Sequence, residues 1–464
     1  MRVTLKSIYT IFFFLGIFFI PFNSYEGIKQ LGEFKTESSA FFFILGSFFL
    51  FVQIFYSKKI SFDYKNKVLL ILLLLLGWLF LSTLFNLPSV LESYFKKTTG
   101  INRFIRQYFV IILSAGVFFL LYLSSISKMS IGEVLYKVRK AFLFSFIVVS
   151  VYAFFEILYI NFGIFPAYKV LQLFDYFPFT EFDVDTNKRI SSVCFEPPAL
   201  ATFLITCSGW MFSYILTHKK KWRYLPTIII LILTYYSGSR TALIVILIQV
   251  LFFLAITLNR QQKVKVLRSF ILLTSVILVT TVFSSGNKLY NDFSNKIETL
   301  DFVGNLKNNI SNQSRFGIQY ANLIVFKNNP IVGVGYGQQA YHAIEFYPGW
   351  AKKDNYEFNY MYLNKNNPSF PPGYNLFIRL LAETGIIGFS LFIFLLITLF
   401  TQTKKIIKHP GFTSDSKTLG IIIYITFIGL MFNWFQSDSF RVYGFWICLA
   451  IFVRIRNERV TTID

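Results

Sequence analysis

The sequence predicts an all-α integral membrane protein with about twelve transmembrane helices and one large extracytoplasmic loop containing an amphipathic helix. Three observations predict it. Of 464 residues, 55% are hydrophobic and only 15% charged, a balance that leaves most of the length for a bilayer. The apolar residues gather into about a dozen stretches, each near the ~20 residues a membrane-crossing helix needs. The links between them alternate between strongly basic and nearly neutral. Segments 1–7, 57–67, 127–140, 217–223, 259–268, 402–418 and 454–464 hold 25 of the 45 Lys and Arg but 5 of the 23 Asp and Glu. These links carry +20 and everything else +2, so the net +22 is positive-inside bias, with both termini on the cytoplasmic side. Cations dealt out a few to each short loop form no single basic face, which excludes a nucleic-acid partner.

The expected spans are 8–22, 38–56, 68–86, 107–126, 141–162, 197–216, 222–237, 240–258, 268–284, 376–401, 419–435 and 441–453, within a single polytopic domain over 1–464. The first resembles a signal peptide but lacks a small-residue cleavage site before Tyr25, so a retained helix is expected. Ser237-Gly238-Ser239-Arg240 interrupts a long apolar run and, with basic links on both sides, reads as a tight outer hairpin. Two outer loops exceed what connection requires, about 163–196 and about 285–375. In the second, Ser311 to Asn329 reads as an amphipathic helix with Phe316, Tyr320, Leu323 and Ile324 on one face. Ser311, Asn312 or Ser314 would cap it, Asn328-Asn329-Pro330 would end it, and 351–373 reads as polar loop. Cys194, Cys207 and Cys448 have no metal-ligand spacing, and neither a metal nor a cofactor is expected.

Four outer-side constellations carry potential chemistry. In Arg189-Ile-Ser-Ser-Val-Cys-Phe-Glu196-Pro-Pro, Glu196 sits at a helix start, either as a plain cap or as a site carboxylate. Arg240 is an ionisable group in an apolar zone, a functional signal unless it only snorkels to the headgroups. Arg315 opens the amphipathic helix and precedes Gly333-Val-Gly-Tyr-Gly337, which reads as a loop folded tightly against the membrane face. Asn375, Arg379 and Glu383 recur every four residues as one polar stripe, with Tyr374 just before it; an internal ion pair is the plain alternative. Guanidinium groups suit two-point recognition of phosphate, so Arg189, Arg240 and Arg315 point to an anionic, lipid-linked phosphate or diphosphate at the outer leaflet.

In RISSVCFEPPALATFL, YYSGSRTALIVIL, SRFGIQYANLIVFKNNPIVGVGYG and GYNLFIRLLAETGIIGFSLF, in this order between about 190 and 390, the chain resembles the O-antigen polymerase and ligase superfamily of bacterial membrane glycosyltransferases. The resemblance implies a GT-C-like fold in the cytoplasmic (inner) membrane and metal-independent, inverting glycosyl transfer on the periplasmic or exterior face. The implied donor and acceptor glycans ride on undecaprenyl diphosphate among membrane lipid, with a chain-length regulator and a flippase as further partners. Arg240 and Arg315 match family arginines that hold donor phosphates, and Glu383 matches the glutamate of the last motif. The ligases carry a histidine at the position of Tyr374, a departure that favours polymerase over ligase. His342, Glu196, Glu383, Asp183 and Asp185 stand as candidate bases for the acceptor hydroxyl, His342 being the only histidine on the expected outer side. A lipid-linked oligosaccharide flippase is the alternative from another class; such transporters show repeated halves and mid-membrane charges, neither of which is evident here.

Overall fold

The computed structural model describes residues 5–24, 27, 29–58, 66–182, 189–259, 261 and 309–460. The longer helices run in the order α1 Leu5–Phe18, α2 Ser38–Ser57, α3 Lys67–Phe85, α4 Gly100–Ile126, α5 Ile131–Ile160 and α6 Pro197–Thr217. They continue with α7 Leu225–Tyr236, α8 Arg240–Thr257, α9 Ile310–Asn328, α10 Leu376–Lys408, α11 Ser414–Asn433 and α12 Tyr443–Val460. Strand structure among the described residues is confined to one hairpin, β1 Tyr94–Phe95 and β2 Thr98–Thr99. Eight of these helices, α2 to α6, α8, α10 and α11, are long and apolar enough to cross a membrane, the architecture of an integral membrane protein. The expected spans at α1 and α7 are helical but shorter, at 14 and 12 residues. The expected span 268–284 lies outside the described residues.

Helices α6, α11 and α12 form the centre, with Trp210, Trp434 and Trp446 fully buried. α3 and α8 lie outside, turning Leu70, Leu73, Leu74, Leu247 and Leu251 outward, as lipid-facing helices do. Where apolar contact cannot distinguish one helix neighbour from another, buried polar groups fix the arrangement. Gln249 of α8, wholly buried, donates from Nε2 to the carbonyls of Ile205 in α6 (3.1 Å) and Ile425 in α11 (3.0 Å).

Segment 309–375 folds on a small core of its own, built from Ile318, Ala321, Val325, Val334, Ala343, Tyr347 and Phe358 with Ala382 of α10. α9 lies where the amphipathic pattern puts it, but Asn309 caps it, accepting from the Asn312 N–H at 3.1 Å, in place of the three residues expected. Its packed face carries the small residues Ser314, Gly317, Ala321 and Asn322, while Phe316, Tyr320 and Leu323 point outward. Small side chains win the inner face because Ala351 and Phe358 press directly on Gly317. The stretch read as polar loop instead has helical turns at Gly349–Lys352 and Glu357–Tyr362. Buried Asn355 organises them, donating to Ser314 Oγ (2.9 Å) and the Ala351 carbonyl (3.0 Å) while accepting from the Glu357 N–H (3.0 Å). One amide thereby spends its polar capacity on backbone and on α9, which is why an asparagine-rich stretch packs.

Candidate active site

Segment 189–196 reaches α6 under the control of a carboxylate within α5. Glu156, wholly buried, accepts the Ser191 N–H on one oxygen and the Ser192 N–H on the other, each at 2.8 Å. Ser192 has φ 55°, so this turn is held in a conformation L-residues avoid. Two charge-assisted hydrogen bonds in a buried setting offset that strain. Glu156→Gln turns one acceptor into a donor facing a backbone N–H; we expect destabilisation by about 2–3 kcal/mol. A thermal melt of the purified protein checks it, and an unchanged midpoint would exclude the clamp.

The clamp sets Arg189 against the α7–α8 turn. Arg189 Nε donates to the Ser237 carbonyl at 3.1 Å, and the Ile190 N–H to the Tyr236 carbonyl at 3.2 Å. Gly238, at φ 63°, leaves space for this approach: a Cβ there would lie 2.9 Å from Arg189 Nε. Arg240 then opens α8, capped by Ser239, and its Nη2 donates to Asn312 Oδ1 of α9 at 3.3 Å. Arg240 is within electrostatic range of both Arg315 and Arg189. Arg315, near the start of α9, lies over the Tyr374 ring with its guanidinium carbon 5.4 Å from the centroid. Its buried Nε has no hydrogen-bond partner among the described residues.

Glu196 completes this group. It stands at the N-cap of α6 but makes no side-chain cap bond, because Pro197 and Pro198 follow it. Although the side chain opens to solvent, the protein mass around its carboxyl raises its pKa above the ordinary carboxylate value, while Arg315 and Arg189 pull it down. Four residues from three segments of the chain thus converge: Arg189, Glu196, Arg240 and Arg315.

The polar stripe of α10 has a different character. Asn375 is buried and its side-chain Oδ1 caps α10, accepting from the N–H groups of Phe377 (3.0 Å) and Ile378 (3.2 Å). Arg379 has each guanidinium nitrogen engaged, donating to Glu383 Oε2 (3.1 Å), the Asp438 carbonyl (2.9 Å) and Gln107 Oε1 (3.1 Å). Arg379 and Glu383 are both buried and pair within α10, while the bonds from Arg379 to Gln107 and to the Asp438 carbonyl fix α10 against α4 and the 438 loop. Tyr374, at φ 57°, hydrogen-bonds Tyr362 through its hydroxyl. Burial first, then Glu357, pushes its pKa up to about 12, so it faces Arg315 as a neutral ring and is no base near neutrality.

Beyond Glu383 the helix breaks. Gly385 has φ 63° and ψ −167°, and the interruption admits the glycine loop. Val334 N–H donates to the Ala382 carbonyl (3.0 Å), Gly335 N–H to that of Glu383 (2.9 Å), and Ile386 N–H to that of Pro330 (2.9 Å). Trp78 Nε1 takes the Thr384 carbonyl at 3.0 Å, and Arg103 Nε the Gly337 carbonyl at 3.1 Å. The loop is therefore a backbone splice into the break in α10, tied also to α3 and α4.

His342 sits apart from the arginines. Its Nε2 is 3.4 Å from Ser89 Oγ, and it lines a small hollow with Asn328 and Asn329 at the far end of α9. Asn328 is thirteen residues from Arg315, about 20 Å along a helix axis. Burial lowers the His342 pKa, with Glu345 opposing. Asp183 and Asp185 lie outside the described residues. Sequence reasoning missed Glu156 and Asp438, and for Glu156 the signal was present, since a carboxylate inside an apolar span is rarely idle.

Residues 225–393 match the model of a family described as O-antigen ligase, a range that contains Arg240, Arg315, His342, Tyr374, Arg379 and Glu383. No curated protein matches the chain. The match covers about a third of the chain and supports the O-antigen polymerase and ligase superfamily for that stretch.

Proposed function

We propose that the chain is a glycosyltransferase that joins lipid-diphosphate-linked oligosaccharide units into a surface polysaccharide, working on the outer face of the cytoplasmic membrane. The observation that carries this reading is the convergence of Arg189, Arg240 and Arg315 beside Glu196. In the reaction an acceptor hydroxyl oxygen attacks the anomeric carbon on the face opposite the diphosphate. The bond from that carbon to the diphosphate oxygen breaks, the electron pair leaves with the diphosphate, and configuration inverts. Charge develops on the leaving oxygen, and pre-placed guanidinium groups stabilise it, the service a divalent ion supplies elsewhere. Glu196 is the carboxylate positioned to take the hydroxyl proton. The orientation that accompanies this reading has twelve spans in a GT-C-like bundle, both termini inside and the 285–375 loop outside.

A ligase reading, in which finished glycan moves to a different acceptor, draws support from the description of the matched family model. Tyr374, held neutral at the position of the ligases' histidine, favours polymerisation. Loss of the gene separates the two. We expect single repeat units, on the carrier or on the final acceptor, with long chains gone, read by gel and mass analysis of extracted glycolipids. Long polymer stranded on the carrier would assign the ligase instead. Transfer by the purified protein is expected to persist in EDTA; loss restored by a divalent ion would overturn the arginine-only account of the leaving group.

A further inference from the structure

A second basic site lies on the other side of the Pro372–Asn375 segment from Arg315. A cavity of about 690 Å³ opens between the β1–β2 hairpin, the start of α4, the 365–372 stretch and the 438–441 loop. Its lining has seven basic and two acidic side chains, so what it accepts is anionic. Part of that charge is structural. Arg379 is engaged by Glu383 and Asp438, and Arg441 pairs with Glu37 at 2.9 Å. Lys96, buried, spends its ammonium on the carbonyls of Met361 and Ser369, tying the hairpin to the opposite wall. Four cations remain that make no ion pair among the described residues: Lys97, Arg103, Arg106 and Lys365.

The hairpin tip gives independent support. Lys96 and Lys97, at φ 49° and 58°, are the two central residues of a tight turn between paired strands. Such turns call for Asn-Gly, and lysines there are strained. Strain of this kind persists where the side chains are needed. The type of anion follows from the walls. The four cations come from three separate segments around the cavity, which suits several spaced oxyanions more than one compact diphosphate. Arg103 lies flat on Phe370, 3.9 Å from its ring centroid, and Gln107 and Thr98 add hydrogen-bonding groups. Ring surface, hydrogen-bonding side chains and dispersed cations together match an oligosaccharide with acidic sugars.

We propose that this cavity binds the glycan of the substrate through its carboxylate- or phosphate-bearing sugars. It abuts the arginine cluster, since Pro372 and Arg379 line it while Tyr374 faces Arg315. The proposal rests on the glycosyltransferase reading for its ligand class and deepens it, because it makes the chain selective for acidic polysaccharide.

The test uses the full chain in detergent, with trigalacturonic acid, maltotriose and farnesyl diphosphate as probes in a direct binding measurement. Trigalacturonic acid should bind, more weakly as salt rises, and maltotriose should not. Lys97, Arg106 and Lys365 are exposed, so the triple variant Lys97→Asn, Arg106→Gln, Lys365→Gln should fold, which its thermal midpoint verifies. It should bind trigalacturonic acid at least tenfold more weakly, whereas Arg240→Lys binds it like the parent. Lys97→Asn alone should raise the midpoint, because Asn adopts positive φ at lower cost than Lys. Equal affinity in the triple variant, equal binding of maltotriose, or a loss confined to farnesyl diphosphate would each overturn the proposal. Normal polymer in cells carrying Arg240→Lys would instead defeat the transfer reading and leave this binding result standing.

Discussion

Under the proposed function, Arg240→Lys and Arg315→Lys are each expected to lower glycosyl transfer by about a hundredfold or more at unchanged protein level. The size follows from what the guanidinium group does at a leaving diphosphate: removing one pre-placed donor from a developing oxyanion typically costs 10²–10³ in rate. Lysine keeps the charge but offers a single ammonium in place of a planar two-point fork. At Arg315 it also leaves the flat contact with Tyr374. At Arg240 it gives up a nitrogen that reaches Asn312 on another helix. The fall should appear in the transfer step, with lipid-linked donor still binding at reduced affinity. Polymer length and amount in cells, and transfer by purified protein, measure it. Near-normal transfer by both variants would reduce the two arginines to surface charges.

Gly385→Ala should do more damage, because it attacks the frame. A methyl group at this position would lie 2.1 Å from the Ile331 carbonyl oxygen, and the residue sits at φ 63°. Left-handed backbone alone costs an L-residue about 1–2 kcal/mol, and the clash with a backbone atom cannot be relieved by a rotamer change. The break in α10 must shift, and with it the splice to Val334 and Gly335 that sits beside Glu383. We expect loss of several kcal/mol or failure to accumulate in the membrane. Gly77→Ala, in the middle of α3 with nothing within 4 Å of the added carbon, serves as the control. It should be neutral or mildly stabilising, since alanine is the better helix former. Equal behaviour of the two variants would show that the helix break is incidental.

What the sequence made legible is what a bilayer makes conspicuous. Apolar runs of span length, and arginines where hydrocarbon is expected, stand out because each is expensive elsewhere. The Arg240 hairpin and the amphipathic helix were readable on those grounds. The packed face of α9 was not, because close approach of backbones rewards Gly, Ala and Ser over the Phe and Leu that define an amphipathic stripe. The β1–β2 hairpin escaped because Lys-Lys is not a turn signal. Yet Lys96, Lys97, Arg103 and Arg106 put four cations into a link expected outside, as many as the cytoplasmic links between spans. Weighed as a violation of the positive-inside pattern, they would have marked the second basic site. Asn375, Arg379 and Glu383 were correctly seen as one stripe, but only the structure shows Asn375 and Arg379 occupied with holding α10 in place.

Phe316, Tyr320 and Leu323 turn outward from the same helix that carries Arg315. If Arg315 holds phosphate as proposed, an apolar flank within about two turns of it gives the site a lipid-level threshold. Under the proposed function, substrate then arrives by lateral diffusion within a two-dimensional phase. The governing variable becomes its mole fraction in that phase, so adding bare detergent should slow turnover by surface dilution even when the total amounts of enzyme and substrate are fixed. Michaelis constants for such a protein belong in units of surface concentration, and comparisons between micelles and vesicles are meaningful only when made on that scale.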